Sequence, residues 1–172
     1  VYQPSLNGNE KKYVNDCLDS TWISSKGKYV TEFETQFARY IGVEYATSVC
    51  NGTVALHLAL VALGIGPGDE VIVPTLTYIA SVNAIAYTGS TPIFVDSLED
   101  TWQMDPEDIK RKITNKTRAI MVVHLYGHPC DMDNIMKIAK ENDLFVIEDC
   151  AEAFGSLYKG KHVGVFGDIA TF

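Results

Sequence analysis

A pair of acidic residues follows an apolar run near the end of the chain. Residues 144–153 read Leu-Phe-Val-Ile-Glu-Asp-Cys-Ala-Glu-Ala, and the unbroken apolar part is typical of a strand that is buried on both faces. In open α/β sheets, ligands bind beyond the carboxyl ends of such strands. Asp149 is therefore a candidate for holding a bound group. The alternative is that it only caps the next segment, because Asp is a common N-cap residue.

Two other junctions between a predicted strand and a predicted helix carry residues that suit a ligand. Gly52 and Thr53 precede an apolar run of helical length, so free backbone N–H groups and the positive helix end would face an anion such as phosphate. The alternative is an ordinary N-cap by Thr53, with Gly52 allowing the tight turn. Tyr78 follows a strand that ends at Pro74, and its ring suits either a planar ligand or the rim of the sheet.

The elements that must position these residues alternate between strand and helix. Short apolar runs predict strands, whereas apolar residues three or four positions apart predict helices. The predicted strands are residues 45–49, 70–73, 91–96, 118–123 and the run after 144, with a strand-like run at 167–172 and a weakly signalled hairpin at 156–165. The predicted helices are residues 10–20, 30–41, 54–63, 79–87, 131–142 and one that opens at 105–108. This alternation predicts an α/β fold.

Composition limits the possible partners. With 172 residues, 47% of them hydrophobic, the chain can bury one sizeable core. A net charge of −8 gives no electrostatic reason to bind nucleic acid or an anionic membrane, and no apolar run approaches the ~20 residues that span a bilayer. The four cysteines show no paired short spacing and follow no leader, so we predict free thiols and a cytoplasmic protein.

One group of possible metal ligands lies just after the strand predicted at 118–123. It consists of His124, His128 and Cys130. Their spacing matches no standard zinc pattern, and Pro129 would break a helix that aligned the two histidines. We therefore predict no metal site.

The three junctions together suit pyridoxal 5'-phosphate (PLP), which needs an anion site, a stacking ring and a carboxylate that keeps its pyridine nitrogen protonated. At five motifs the sequence resembles the DegT/StrS group of nucleotide-sugar aminotransferases, which are PLP-dependent enzymes of fold type I. The motifs are Asn51-Gly52-Thr53-Val54-Ala55-Leu56, Pro74-Thr75-Leu76-Thr77-Tyr78-Ile79-Ala80-Ser81, His124-Leu125-Tyr126-Gly127, Glu148-Asp149-Cys150-Ala151-Glu152-Ala153 and Gly167-Asp168-Ile169-Ala170-Thr171-Phe172.

The resemblance implies a three-layer α/β/α architecture with a mostly parallel mixed sheet, the large domain of the aspartate aminotransferase fold. It implies that residues 1–172 are the N-terminal part of this PLP-binding domain and that the small C-terminal domain is absent. The Schiff-base lysine would lie beyond Phe172, so the catalytic residue is unknown from this chain, and the chain alone is expected to be inactive. The resemblance also implies a homodimer with shared active sites.

Site residues follow from the same resemblance, position by position. Gly52 and Thr53 would hold the cofactor phosphate, Tyr78 would stack on the pyridine ring, and Asp149 would pair with the ring nitrogen. Glu152 stands near the ring hydroxyl, where relatives often have His or Gln. An ionised carboxylate only accepts hydrogen bonds, so this substitution changes what the position can do.

Residues 22–29 and 148–155 resemble the family members that aminate the C4 ketone of GDP-4-keto-6-deoxymannose, with glutamate as amino donor, for O-antigen synthesis. Two alternatives stay open. One is a PLP/PMP-dependent sugar dehydratase of the same family, in which a histidine replaces the lysine, and the other is a module that holds the cofactor without turnover. A dinucleotide oxidoreductase is disfavoured because the three-glycine fingerprint is absent.

Overall fold

The computed structural model describes residues 3–172, and the chain divides into two compact units between Ser48 and Val49. The first unit contains α1 (Glu10–Asp19) and α2 (Lys28–Ile41). The second contains α3 (Gly52–Ala62), β1 (Glu70–Pro74), α4 (Ile79–Tyr87), β2 (Thr91–Val95), α5 (Pro106–Lys112), β3 (Thr117–Val123), a 3₁₀ turn (Leu125–Gly127), α6 (Met132–Glu141), β4 (Phe145–Asp149), β5 (Leu157–Tyr158), β6 (Lys161–His162) and β7 (Ile169–Thr171). Among residues 3–172, no helix is both long and apolar enough to span a lipid bilayer.

In the first unit, the two predicted helices form. The carboxylate of Asp16 on α1 accepts a hydrogen bond from Tyr29 Oη at 2.9 Å and pairs with Lys28 Nζ at 2.5 Å, so it ties the start of α2 to α1. Gly42 ends α2 with a left-handed φ of 91°, a conformation that glycine adopts without steric cost.

The strand predicted at residues 45–49 is wrong. The N–H and Oγ of Ser48 donate to Glu34 Oε1 at 2.8 and 2.9 Å, and Tyr45 is 81% exposed. No strand among the described residues pairs with this segment. Residues of high strand propensity form a strand only where a neighbouring strand takes their backbone groups.

The second unit is built on a sheet with the strand order β2-β1-β3-β4-β7. All four neighbouring pairs are parallel, with Ile72 opposite Ile93 and Ile120 opposite Val146. A separate antiparallel pair, β5 and β6, forms the predicted hairpin. The predicted α/β class with a mostly parallel sheet is therefore confirmed.

Helices cover both faces of this sheet. Val71 and Val73 of β1 pack in the cluster that contains residues of α3 and α4, whereas Ile72 packs in the cluster that contains residues of α5 and α6. On β3, Met121 packs in the cluster of α3 and α4, and Ile120 packs in the cluster of α5 and α6. A parallel sheet buried on both faces needs such unbroken apolar strands, and the result is the three-layer architecture that the resemblance implied.

Candidate active site

The carboxyl ends of the central strands border a cavity of about 250 Å³. The beginnings of α3 and α4 complete its wall. The cavity is lined by Gly52, Thr53, Leu56, Thr77, Tyr78, Ala80, Val123, Leu125, Asp149, Ala151 and Glu152. All five residues predicted to bind a cofactor therefore lie at one cavity, although residues 52 and 152 are a hundred positions apart in the sequence.

The first turn of α3 provides the anion-binding end of the cavity. Asn51 is the N-cap, and its Oδ1 accepts a hydrogen bond from the N–H of Val54 at 2.9 Å. The alternative that Thr53 caps this helix is therefore wrong. The N–H groups of Gly52 and Thr53 have no acceptor among residues 3–172. A Cβ placed on Gly52 would meet no atom within 4 Å apart from its chain neighbours and the backbone of its own helix. Two free donors at a helix N-terminus, with open space beside them, fit a phosphate.

Tyr78 also lines the cavity, at the N-cap of α4. Its side chain makes no capping hydrogen bond and is 72% exposed. The backbone here is extended, with φ −67° and ψ 142°, so the chain turns from β1 into α4 and leaves the ring beside the cavity. An exposed aromatic face of this kind suits a flat ligand.

Asp149 supplies the acidic group of the cavity and is only 6% exposed. Its Oδ2 accepts a hydrogen bond from Ser81 Oγ at 2.8 Å, and its Oδ1 accepts one from the N–H of Ala151 at 3.2 Å. Burial raises the pKa of this carboxyl above its usual value, although both hydrogen bonds act in the opposite direction. A carboxylate offers about four acceptor positions, so Asp149 can still receive a ligand N–H.

Glu148, the preceding residue, is fully buried and has more donors. Its Oε1 accepts from the N–H groups of Phe166 and Gly167 at 2.8 and 2.7 Å. Its Oε2 accepts from the N–H of Gly164 at 2.8 Å and from His124 Nε2 at 3.1 Å. Burial opposes ionisation of Glu148, but His124 and the backbone donors outweigh it and hold its pKa below the usual range.

The hydrogen bonds of His124 determine which ring nitrogen carries the proton. Nδ1 accepts from the N–H of Cys130 at 3.1 Å, so the proton of the neutral ring lies on Nε2 and points at Glu148. Ligand atoms of His124, Glu148 and Cys150 lie within 4.8 Å of one another, as in a metal site. However, each ring nitrogen and carboxylate oxygen already has a partner, and burial raises the pKa of the Cys150 thiol, so these groups do not form a ready site for a cation.

Glu152 is exposed and has a backbone partner. Its Oε2 accepts from the N–H of Tyr126 at 2.7 Å. Tyr126 has a left-handed φ of 55° within the 3₁₀ turn, a conformation that is uncommon for a bulky residue. The acceptor-only chemistry of a carboxylate therefore suits this position, because Glu152 holds the turn that borders the cavity.

Ser81 is a site residue that no sequence pattern singled out. It lies in the first turn of α4, is completely buried and contacts Asp149 directly. The available signal was a hydroxyl three positions after Tyr78, on a helix that is otherwise mostly apolar.

Comparison with known proteins identifies the family. The model of the DegT/DnrJ/EryC1/StrS aminotransferase family matches residues 4–172. The chain belongs to this family. Over 172 residues it is 74% identical to GDP-perosamine synthase from Escherichia coli O157:H7, and the match covers 100% of this chain and 47% of that protein. The chain thus spans about half the length of the curated relatives that it matches.

Solved structures of family members share this fold. An aminotransferase from Psychrobacter cryohalolentis is 45% identical and superimposes with a TM-score of 0.95, over 99% of this chain and 43% of that one. E. coli GDP-4-keto-6-deoxy-D-mannose-3-dehydratase with bound hydrated PLP is 33% identical, with a TM-score of 0.88 over 96% of this chain and 44% of that one. The predicted family and fold type are confirmed.

Proposed function

We propose that the complete protein containing this chain is a PLP-dependent sugar aminotransferase. One observation carries the proposal: the cavity brings together two free backbone donors, an exposed aromatic ring and a buried carboxylate with unused acceptor positions. These features fit the phosphate, the flat ring and the ring nitrogen of PLP.

Each residue then has a definite task. Gly52 and Thr53 would donate their N–H groups to the phosphate, and the Thr53 hydroxyl would add a further donor. Tyr78 would pack against the ring, and Asp149 would keep a proton on the ring nitrogen. Glu152, which holds the turn at Tyr126, would act near the ring hydroxyl. When bound, PLP supplies an electron sink for bond changes at the substrate carbon, and the proton held by Asp149 is what makes that sink effective.

The reaction that we propose moves an amino group from glutamate to the C4 ketone of GDP-4-keto-6-deoxymannose, which gives GDP-perosamine for O-antigen synthesis. Glutamate loses its amino group and leaves as 2-oxoglutarate, and the sugar gains that amino group in place of its ketone oxygen. The identity to GDP-perosamine synthase over all 172 residues supports this substrate. We expect the lysine that shuttles the proton to follow Phe172.

We also propose a cytoplasmic homodimer with shared active sites. Val54, Leu58 and Val61 recur along one side of α3 and are 41, 45 and 54% exposed. A stripe of three aliphatic side chains on a helix is costly to leave in water. Contact with a second copy of the chain would remove this stripe from solvent.

The full-length protein, loaded with PLP, tests the proposed reaction. Adding glutamate should bleach the visible absorbance of the bound cofactor, and adding GDP-4-keto-6-deoxymannose should restore it. Mass spectrometry should then show a sugar nucleotide in which nitrogen replaces one oxygen, with one 2-oxoglutarate formed per product. A sample without glutamate is the control, and amination in that sample contradicts the proposed donor.

A dehydratase is the second candidate, because the E. coli GDP-4-keto-6-deoxy-D-mannose-3-dehydratase has the same fold over almost the whole chain. The same mass measurement separates the two reactions. Dehydration removes an oxygen from the sugar and leaves no nitrogen in it, whereas amination introduces one. PLP binding without either sugar product would instead indicate a module that holds the cofactor without turnover.

A further inference from the structure

Ser81 occupies an unusual place for a hydroxyl group. It is completely buried, and its Oγ lies 2.8 Å from Asp149 Oδ2. An ionised carboxylate has no proton to give, so Ser81 must be the donor. The hydrogen bond joins the first turn of α4 to the end of β4, which are 68 residues apart in sequence.

Thr77 extends this connection. Its Oγ1 lies 3.0 Å from Ser81 Oγ. Because the single proton of the Ser81 hydroxyl is directed at Asp149, Ser81 accepts in this contact. The Thr77 hydroxyl is the donor, and it shares its one proton between Ser81 Oγ and the carbonyl oxygen of Tyr78, which lies 3.3 Å away. The two hydroxyls therefore form a directed chain from Thr77 through Ser81 to Asp149, and hydrogen bonds in such a chain polarise one another.

Tyr78 lies between these two hydroxyls in the sequence, and its carbonyl accepts from the N–H of Ser81 at 3.3 Å. The turn that carries the exposed ring is thus attached to the same carboxylate that faces the cavity. A shift of α4 relative to β4 would change the separation of Tyr78 and Asp149 and would break the Ser81 hydrogen bond.

We propose that Ser81 is a positioning residue, which holds the Asp149 carboxylate at a fixed place relative to Tyr78 and keeps it ready to receive the ring N–H of PLP. This inference rests on the proposed function, because it assigns a role within the same site. Ser81 acts only through Asp149 and need not touch the cofactor.

Several groups act on Asp149 from the elements packed around it. Burial raises its pKa, whereas the Ser81 hydroxyl, the N–H of Ala151 and His124 at the end of β3 lower it. Glu152, which also lines the cavity, raises it by its charge. Loss of the Ser81 donor should therefore raise the pKa further, so that Asp149 takes up a proton at a higher pH and no longer pairs with a protonated ring nitrogen.

The test uses full-length Ser81→Ala and compares PLP affinity across the acidic pH range with that of the wild type. We expect PLP binding to be about tenfold weaker near neutral pH, since a donor to a charged acceptor is lost. We also expect the acidic limb of the binding profile, the pH range over which PLP affinity falls on acidification, to move to higher pH. Inorganic phosphate, measured as a competitor of PLP, should bind with unchanged affinity because it needs only the α3 end of the cavity.

Three further variants separate positioning from general loss of structure. Ser81→Thr keeps the hydroxyl and should recover most of the affinity. Thr77→Val keeps the shape of a half-buried side chain without its donor, so it should change affinity in the same direction by about threefold. Ser90→Ala removes a buried hydroxyl that bonds the carbonyl of Ile85, away from the cavity, and should match the wild type in PLP binding.

Wild-type affinity and an unmoved acidic limb in both Ser81→Ala and Thr77→Val would overturn the proposal. So would a loss of PLP affinity in Ser90→Ala equal to that in Ser81→Ala. Failure of the wild-type protein itself to bind PLP is a different result, which rejects the proposed function rather than the role of Ser81.

Discussion

Glu148 and Asp149 are consecutive carboxylates at the end of one strand, yet their environments differ. Glu148 accepts four hydrogen bonds, three of them from backbone N–H groups, whereas Asp149 accepts two. Their pKa values move in opposite directions, down for Glu148 and up for Asp149. Burial alone therefore does not decide what a carboxylate does. The number of donors that reach it does.

The different numbers of hydrogen bonds indicate different roles for the two carboxylates. Glu148 has its acceptor positions filled by the segment from Gly164 to Gly167, which leads into β7. Asp149 keeps unused positions at the cavity. A buried charge with too few partners is costly unless a ligand supplies the missing one, so Asp149 is suited to binding and Glu148 to holding the fold.

The largest effect on stability should come from Glu148→Gln. The amide cannot accept from all four donors, and its NH₂ group would face two of them, whichever oxygen it replaces. We expect the free energy of unfolding of the full-length apo-protein to fall by about 3 kcal/mol in urea. Glu107→Gln, at an exposed ion pair with Lys110, is the matched control and should change stability by less than about 0.5 kcal/mol.

Asp149→Asn should give the converse result. Asn still offers an oxygen to Ser81, and its NH₂ group would face only the N–H of Ala151, an exposed residue that water can reach. The change also removes a buried charge that lacks partners, so the unfolding free energy should change by less than about 1 kcal/mol. PLP affinity should instead fall about 100-fold, because the charged partner of the ring nitrogen is lost. Measuring both quantities on both variants is decisive: if the two carboxylates respond alike, the distinction between them is wrong.

The opposite pKa shifts also imply opposite pH dependences. The stability contributed by Glu148 is fully present above its ordinary pKa of 4.5 and is lost as the pH falls through its lower folded value. Asp149 favours folding only below its ordinary pKa of 3.8, and that contribution is lost as the pH rises through its higher folded value. Relative to the wild type, the deficit of Glu148→Gln should therefore shrink in acid, and Asp149→Asn should gain stability as the pH rises. Urea unfolding at several pH values measures both trends, and parallel trends would contradict the assignment.

Local sequence signals were sufficient for most of the fold. The apolar spacing at residues 79–87 predicts α4, and the cap and proline at residues 105 and 106 predict the start of α5, because both signals act within a few residues. The strand predicted at 45–49 failed because pairing depends on a distant neighbour. Propensity at Tyr45 carries no information about whether such a neighbour is there.

In the site, too, some features follow from sequence patterns and others depend on long-range packing. Gly52, Tyr78 and Asp149 could be placed at one edge because parallel strands end together. The contact of Ser81 with Asp149 and the contact of Glu148 with Gly164 could not be placed, since each depends on how distant segments pack. The sequence pattern also could not predict that Asn51 rather than Thr53 is the N-cap of α3, because both residue types cap helices.

The smallest expected effect concerns Glu152, which lines the same cavity as Asp149. Glu152 raises the pKa of Asp149 by its charge while it accepts from the N–H of Tyr126. Glu152→Gln removes the charge but keeps an oxygen for Tyr126, so the turn should hold and PLP affinity at neutral pH should change less than about twofold. The acidic limb of PLP binding should move to lower pH, opposite to the shift expected for Ser81→Ala.

Glu152→Ala, which also releases Tyr126, is the paired variant. A larger loss of PLP affinity in Glu152→Ala than in Glu152→Gln would mean that this residue matters because it holds the turn, and not because of its charge. An unchanged pH dependence of PLP binding in Glu152→Gln would mean that the charge of Glu152 does not act on Asp149, whose pKa would then depend on burial and on its hydrogen-bond donors.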